Sequence, residues 1–131
     1  VSRVDDRFTL FAYGSLREGE RDHSELQGAE RLGTAATAPQ YRLIDLGVYA
    51  ALIEGGGLRV VGELYAIDRQ LRRRLDVLKQ CPILFHRGRV ELADGTLAEA
   101  YLMHEEQVRG KRRLHVGDWK QRFVPRFGRR R

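Results

Sequence analysis

Cysteine is almost absent from this chain of 131 residues. Cys81 stands alone, so no disulfide can form within the chain and a cysteine-rich metal site is excluded. The four histidines, His23, His86, His104 and His115, fall at no metal-ligand spacing, and no structural or catalytic metal is expected. No apolar run approaches the roughly 20 residues a membrane-spanning helix needs. Residues 1–7 (VSRVDDR) lack the apolar middle of a secretory signal, so a soluble, cytoplasmic protein is expected. Internal repeats and low-complexity segments are also missing. The length suits one domain with a real hydrophobic core.

Acidic residues are scarce only at one end. From Arg109 onward there are ten Lys and Arg against one acid, Asp118, a balance of +9 in a chain whose net charge is +6. The remainder therefore sums to −3, and basicity belongs to the C-terminal stretch. Basic residues interleaved with Trp119, Phe123 and Phe127 could in principle contact nucleic acid. The simpler expectation is a solvated end whose aromatics fold back on the body. The expected division is a domain over 1–120 and a basic tail over 121–131.

Residues 7–12 (RFTLFA) read as a strand that stops at Tyr13-Gly14-Ser15. The polar stretch 17–33 follows, with Leu26 and Leu32 as apolar anchors, and suggests a loop and a short surface helix. Strands are expected over 40–44 (QYRLI), 49–53 (YAALI) and 58–68 (LRVVGELYAID), with a glycine turn before the last. In that last strand both faces are largely apolar, which places it centrally and embeds Glu63 in an apolar row.

Asp68 suits an N-cap for the helix RQLRRRLDVLK. Leu71, Leu75 and Leu78 make its buried stripe, with Arg72, Arg73 and Arg74 in solvent. The helix must end before Pro82, which puts Lys79 in its last turn. Beyond it, Ala93-Asp94-Gly95 joins 88–92 and 96–103 as a hairpin. About six strands, one clear helix and no βαβ alternation argue for an α+β chain, either a small mixed barrel or a curved sheet.

FAYGSLREGERDH resembles the opening of the γ-glutamylcyclotransferase-like superfamily. The likeness continues through LGVYAALIEGGGLRVVGELYAID, Leu75-Asp76, the Pro82 segment, Tyr101 and Gly117-Asp118-Trp119, in an order similar to the small bacterial YtfP-like branch. The resemblance implies an α+β fold, a small mixed β-barrel with flanking helices and a cavity at one end. It also implies cleavage of a γ-glutamyl amine to 5-oxoproline and free amine, without cofactor or metal. By the same resemblance Tyr13, Gly14, Ser15 and Leu16 hold the glutamyl group, Gly14 allowing close backbone approach and the turn exposing N–H donors.

The departure lies in LDVLKQCPILFHR. Where active relatives keep a catalytic glutamate, this sequence has Lys79, and a glycine after it is replaced by Gln80. Phe85 stands where a tyrosine is common. A lysine is a base only when burial lowers its pKa. Of the three acids that are candidates for a substitute base, Glu63, Glu54 and Asp76, Glu63 is best placed by strand parity. The alternative is a non-catalytic pocket in which Lys79 holds a small anionic or aminoacyl metabolite. Cys81 beside it is expected to be a small packed residue, His23 a surface residue and Trp119 a core residue.

Overall fold

The computed structural model describes residues 7–123. Its core is an eight-stranded mixed sheet with one α-helix. In chain order the strands are β1 (Phe8–Ala12), β2 (Glu30–Ala36), β3 (Tyr41–Asp45), β4 (Ala50–Glu54), β5 (Val61–Ile67), β6 (His86–Glu91), β7 (Leu97–Leu102) and β8 (Arg112–Arg113). The helix α1 (Arg69–Leu78) joins β5 to β6. The ladder runs β2-β5-β1-β7-β4-β3-β8, and β6 pairs with β7. Most neighbours are antiparallel, whereas β7 meets β1 and β4 in parallel. The ladder stays open, but an isolated bridge from Thr37 to Leu92 ties the chain after β2 to the end of β6. The result is the barrel-like α+β architecture expected from the sequence.

The alternation in β1 explains why the sheet is covered on both faces. Leu10 and Ala12 belong to one apolar cluster, with Leu71, Leu75 and Phe85. Phe11 and Tyr13 point to the other, with Leu43, Leu52, Val60 and Trp119. Successive strand side chains take opposite faces, so a strand buried on both sides must be apolar throughout. β5 pairs with β1 on one side and β2 on the other, as its apolar faces predict, and Glu63 is buried within it.

Several expectations need correction. β2 begins within the stretch 17–33 read as loop and helix and runs on to Ala36, and only His23–Leu26 in that stretch forms a short 3-10 turn. Leu26 is buried, but Leu32 is exposed on β2, so only one of the two expected anchors is one. In α1, Asp68 caps the helix by accepting from Leu71 N at 2.8 Å, and Leu71 and Leu75 are buried. Leu78 is 37% exposed because the helix ends there and the chain turns away from the core. Arg72 is not free in solvent: it stacks over the Phe8 ring at 3.8 Å and pairs with Glu99 of β7. The hairpin lies where expected, with Asp94 accepting from Thr96 N and Thr96 Oγ1. The expected tail over 121–131 falls mostly on residues 124–131, outside the described residues.

Candidate functional site

β1 delivers the chain to a turn formed by Tyr13, Gly14, Ser15 and Leu16, all buried. The turn packs against β4 so closely that a Cβ on Gly14 would lie 3.0 Å from the Ala50 Cβ, which explains glycine at this position. The Tyr13 hydroxyl reaches across the sheet, donating to Tyr101 O and accepting from Leu52 N at 3.2 Å. Both of its roles are spent on the backbone, and burial pushes its pKa up. Tyr13 therefore pins the turn to β4 and β7.

On the opposite side α1 ends. Lys79 is its C-cap residue, one position beyond the last helical residue, and its N–H donates to Leu75 O at 2.9 Å. Gln80 then takes φ +54, the left-handed conformation that closes helices. This reversal carries the Lys79 side chain inward over the Phe85 ring, with Nζ 5.0 Å from the ring centroid. Lys79 is 8% exposed. No carboxylate among the described residues lies within ion-pairing distance of it. Burial pushes its pKa below the ordinary lysine value, against the pull of Asp22 and Cys81.

These two features meet. A narrow cavity of about 10 Å³ is bordered by Phe11, Ala12, the four residues of the turn, Ala50, Lys79 and Tyr101. No carboxylate borders it. The Ser15 hydroxyl is buried with no hydrogen-bond partner. The sequence-derived residues Tyr13, Gly14, Ser15, Leu16 and Lys79 are thus brought together, although they come from segments more than 60 residues apart.

Glu63 stands outside this lining. Its carboxylate accepts from Arg17 Nε at 2.7 Å, from Glu18 N at 3.0 Å and from Tyr65 Oη at 3.4 Å. Arg17 also donates to Asp118 at 2.7 Å. Burial works against the Arg17 charge, but Glu63 and Asp118 outweigh it and its pKa rises. The network clamps the chain just after the turn. Asp76, near the end of α1, accepts from Tyr101 Oη at 2.7 Å and pairs with Arg87, so it ties the helix to the hairpin. Glu54 is exposed at the end of β4.

Cys81 is partly buried, and burial followed by the nearby Asp76 raises its thiol pKa. An acidified nucleophile is not formed there. His23 is half-buried, its Nδ1 against Leu16 O at 3.0 Å, and so supports the turn where a surface residue was expected. Trp119 is buried, as expected. The sequence reading missed Arg17 and Ala50. Arg17 follows the turn directly, but its partners Glu63 and Asp118 are 46 and 101 residues away, a pairing no periodicity announces.

Comparison with known proteins is consistent across sequence and structure. Residues 10–121 match the family described as "Gamma-glutamyl cyclotransferase, AIG2-like". A Vibrio cholerae protein provisionally named gamma-glutamylcyclotransferase is 40% identical over 113 residues, covering 86% of this chain and 96% of that protein. Human gamma-glutamylaminecyclotransferase is 33% identical over 97 residues, and the match spans 65% of this chain and 63% of the human protein. Among solved structures, an AIG2-like protein from Mus musculus superposes with a TM-score of 0.68 at 25% identity, covering 76% of this chain and 78% of that one. A uropathogenic E. coli-specific protein superposes with a TM-score of 0.79, covering 88% and 94%; at 23% identity it speaks to the fold alone.

Proposed function

Because the chain belongs to the gamma-glutamyl cyclotransferase, AIG2-like family, we propose that its cavity recognises the glutamyl part of a small molecule, through the turn at Tyr13, Gly14, Ser15 and Leu16 together with Lys79. The observation that carries this reading is the convergence of that turn and a buried lysine, one that makes no ion pair among the described residues, on one cavity. Turn N–H groups and a desolvated ammonium are suited to a carboxylate or a polarised carbonyl. The cavity is too narrow for a whole ligand as it stands, so the flexible Lys79 stem swings aside on binding. Glu63 is read as a brace of Arg17, because its carboxylate is already committed. Isothermal titration calorimetry with 5-oxoproline and a panel of γ-glutamyl amines tests the reading. Binding that Lys79→Met weakens is expected; absence of binding to every member overturns it.

A second reading, turnover, is favoured by one observation: Lys79 is desolvated, with no carboxylate among the described residues close enough to form an ion pair, and burial lowers its pKa despite the pull of Asp22, the direction a lysine needs to serve as a base. In that reaction the substrate's α-amine forms a bond to its own γ-carbonyl carbon. The oxyanion is held by the turn N–H groups, and the bond to the leaving amine breaks. One proton passes from the attacking to the departing nitrogen by way of Lys79. Release of 5-oxoproline at a rate rising with pH, and abolished in Lys79→Met, is the expected signature. Binding without release leaves the recognition reading alone.

A further inference from the structure

The hydrogen-bonding inventory of the turn is one-sided. Gly14 O accepts from Arg17 N at 3.0 Å, Ser15 O from Asp22 N at 2.9 Å, and Leu16 O from His23 Nδ1 at 3.0 Å. All three carbonyls are engaged within the fold. The N–H groups of the same three residues donate to nothing among the described residues. Beside them lies the Ser15 hydroxyl, buried and without a partner.

The rest of the lining does not restore the balance. The Tyr13 hydroxyl is saturated by Tyr101 O and Leu52 N, and the Tyr101 hydroxyl is turned away to Asp76. Lys79 adds a cation, and no carboxylate borders the cavity to offset it. Buried donors left unpaired are costly, and a ligand that supplies acceptors removes that cost. A ligand that brings a second cation meets Lys79 at short range in a poorly screened space, with no carboxylate in the lining to receive it; Asp22, which acts on Lys79, stands outside that lining.

We propose that this cavity selects small carboxylates that carry no free ammonium group, lactam or N-acylated amino acids such as 5-oxoproline, and disfavours γ-glutamyl amines whose α-amine is free. The proposal rests on the reading of the cavity as a glutamyl site and fixes which glutamyl-derived class it takes. A γ-glutamyl amine and 5-oxoproline share the same five-carbon skeleton with its α-carboxylate. They differ in the charged amine, which the lactam has converted to an uncharged amide, and in the ring closure and loss of the γ-amine that go with it; the Lys79 variants separate the charge from the shape. The proposed discrimination is the electrostatic part of that difference, and Lys79 sets its sign.

The test is calorimetry at fixed ionic strength with 5-oxoproline, N-acetylglutamate and γ-glutamyl methylamide. The wild-type chain is expected to bind 5-oxoproline at least about tenfold more tightly than γ-glutamyl methylamide. Lys79→Glu is expected to reverse that order. Lys79→Met, which keeps the stem without the charge, is expected to weaken 5-oxoproline by about tenfold and to move γ-glutamyl methylamide by less than about threefold. Equal or tighter wild-type binding of γ-glutamyl methylamide overturns the proposal and leaves the glutamyl reading standing. Failure of all three probes overturns both. Equal weakening of both ligands by Lys79→Met also overturns the proposal, since it assigns Lys79 no discriminating role.

Discussion

Gln80 occupies a left-handed backbone position with φ +54 immediately after the C-cap of α1. For a residue with a Cβ this conformation costs about 1–2 kcal/mol, whereas glycine adopts it freely. Glycine also gains entropy in the unfolded chain, which offsets part of the benefit. Gln80→Gly is therefore expected to stabilise the fold by about 0.5–1 kcal/mol, read from the midpoint of urea unfolding. Lys79 next to it has the opposite character, since its burial opposes its own charge. Its folded-state pKa lies below the unfolded value, so between the two the unfolded chain binds more protons and stability rises with pH. The stability attached to this group is present above the unfolded lysine pKa and is lost as pH falls through the folded one. Lys79→Met is expected to raise the melting temperature at neutral pH, with the gain shrinking as the pH approaches the ordinary lysine value of 10.5. A gain that stays constant to high pH would show that packing and not charge is responsible.

At the scale of elements, the end of α1 is held to the β6–β7 hairpin by Asp76, which takes both the Tyr101 hydroxyl and the Arg87 guanidinium. Removing that carboxylate leaves two donors short of a partner. Asp76→Ala is expected to cost about 2–3 kcal/mol and to loosen the helix end that presents Lys79. Chemical denaturation measures the cost, and faster amide exchange at Lys79 and Gln80 reports the loosening. The elements that were legible in the sequence are those whose burial has a period. α1 could be read from Leu71, Leu75 and the Asp68 cap, and β5 from apolar residues on both faces. β2 was not legible, because ERLGTAA buries almost nothing and has its partner in β5, with a register shift between Arg31 and Gly33. An exposed strand held by backbone bonds to one neighbour leaves no alternation to detect. Leu78 misled for a different reason: the periodic stripe runs to the last residue of the helix, where the chain turns away from the core. In the site, the turn and Lys79 were readable as local motifs beside a strand end and a helix end. The spent Tyr13 hydroxyl and the Arg17 clamp were not, because their partners are set by how the curved sheet brings distant segments together.

Across the whole molecule, one ionic clamp next to the turn joins residues from both ends of the described chain. Arg17 follows the turn, Glu63 lies at the centre of β5, and Asp118 belongs to the segment leading into Trp119. Asp118 also caps the short 3-10 turn Trp119–Gln121 by accepting from Lys120 N at 2.9 Å. The segment can approach this closely only because residue 117 is glycine: a Cβ there would stand 1.9 Å from Arg59 O. One guanidinium thus joins an early turn, a central strand and the C-terminal segment, and its two carboxylates do unequal work. Glu63 has a side chain 3% exposed, whereas that of Asp118 is 26% exposed. Loss of Glu63 strands a buried cation with one remaining partner, and Glu63→Gln is expected to cost about 3 kcal/mol. Asp118→Asn keeps most of the cap and leaves Arg17 paired to Glu63, in a place water can reach, and is expected to cost about 1 kcal/mol. If the clamp exists to hold the turn, the two changes should also rank in the same order in weakening 5-oxoproline binding, although neither residue borders the cavity. Calorimetry on the two variants below their melting temperatures separates this from a purely structural role. Equal affinity for wild type and both variants would mean that the turn keeps its shape through Tyr13 and Ala50 alone, and that the long-range clamp serves stability without reaching the cavity.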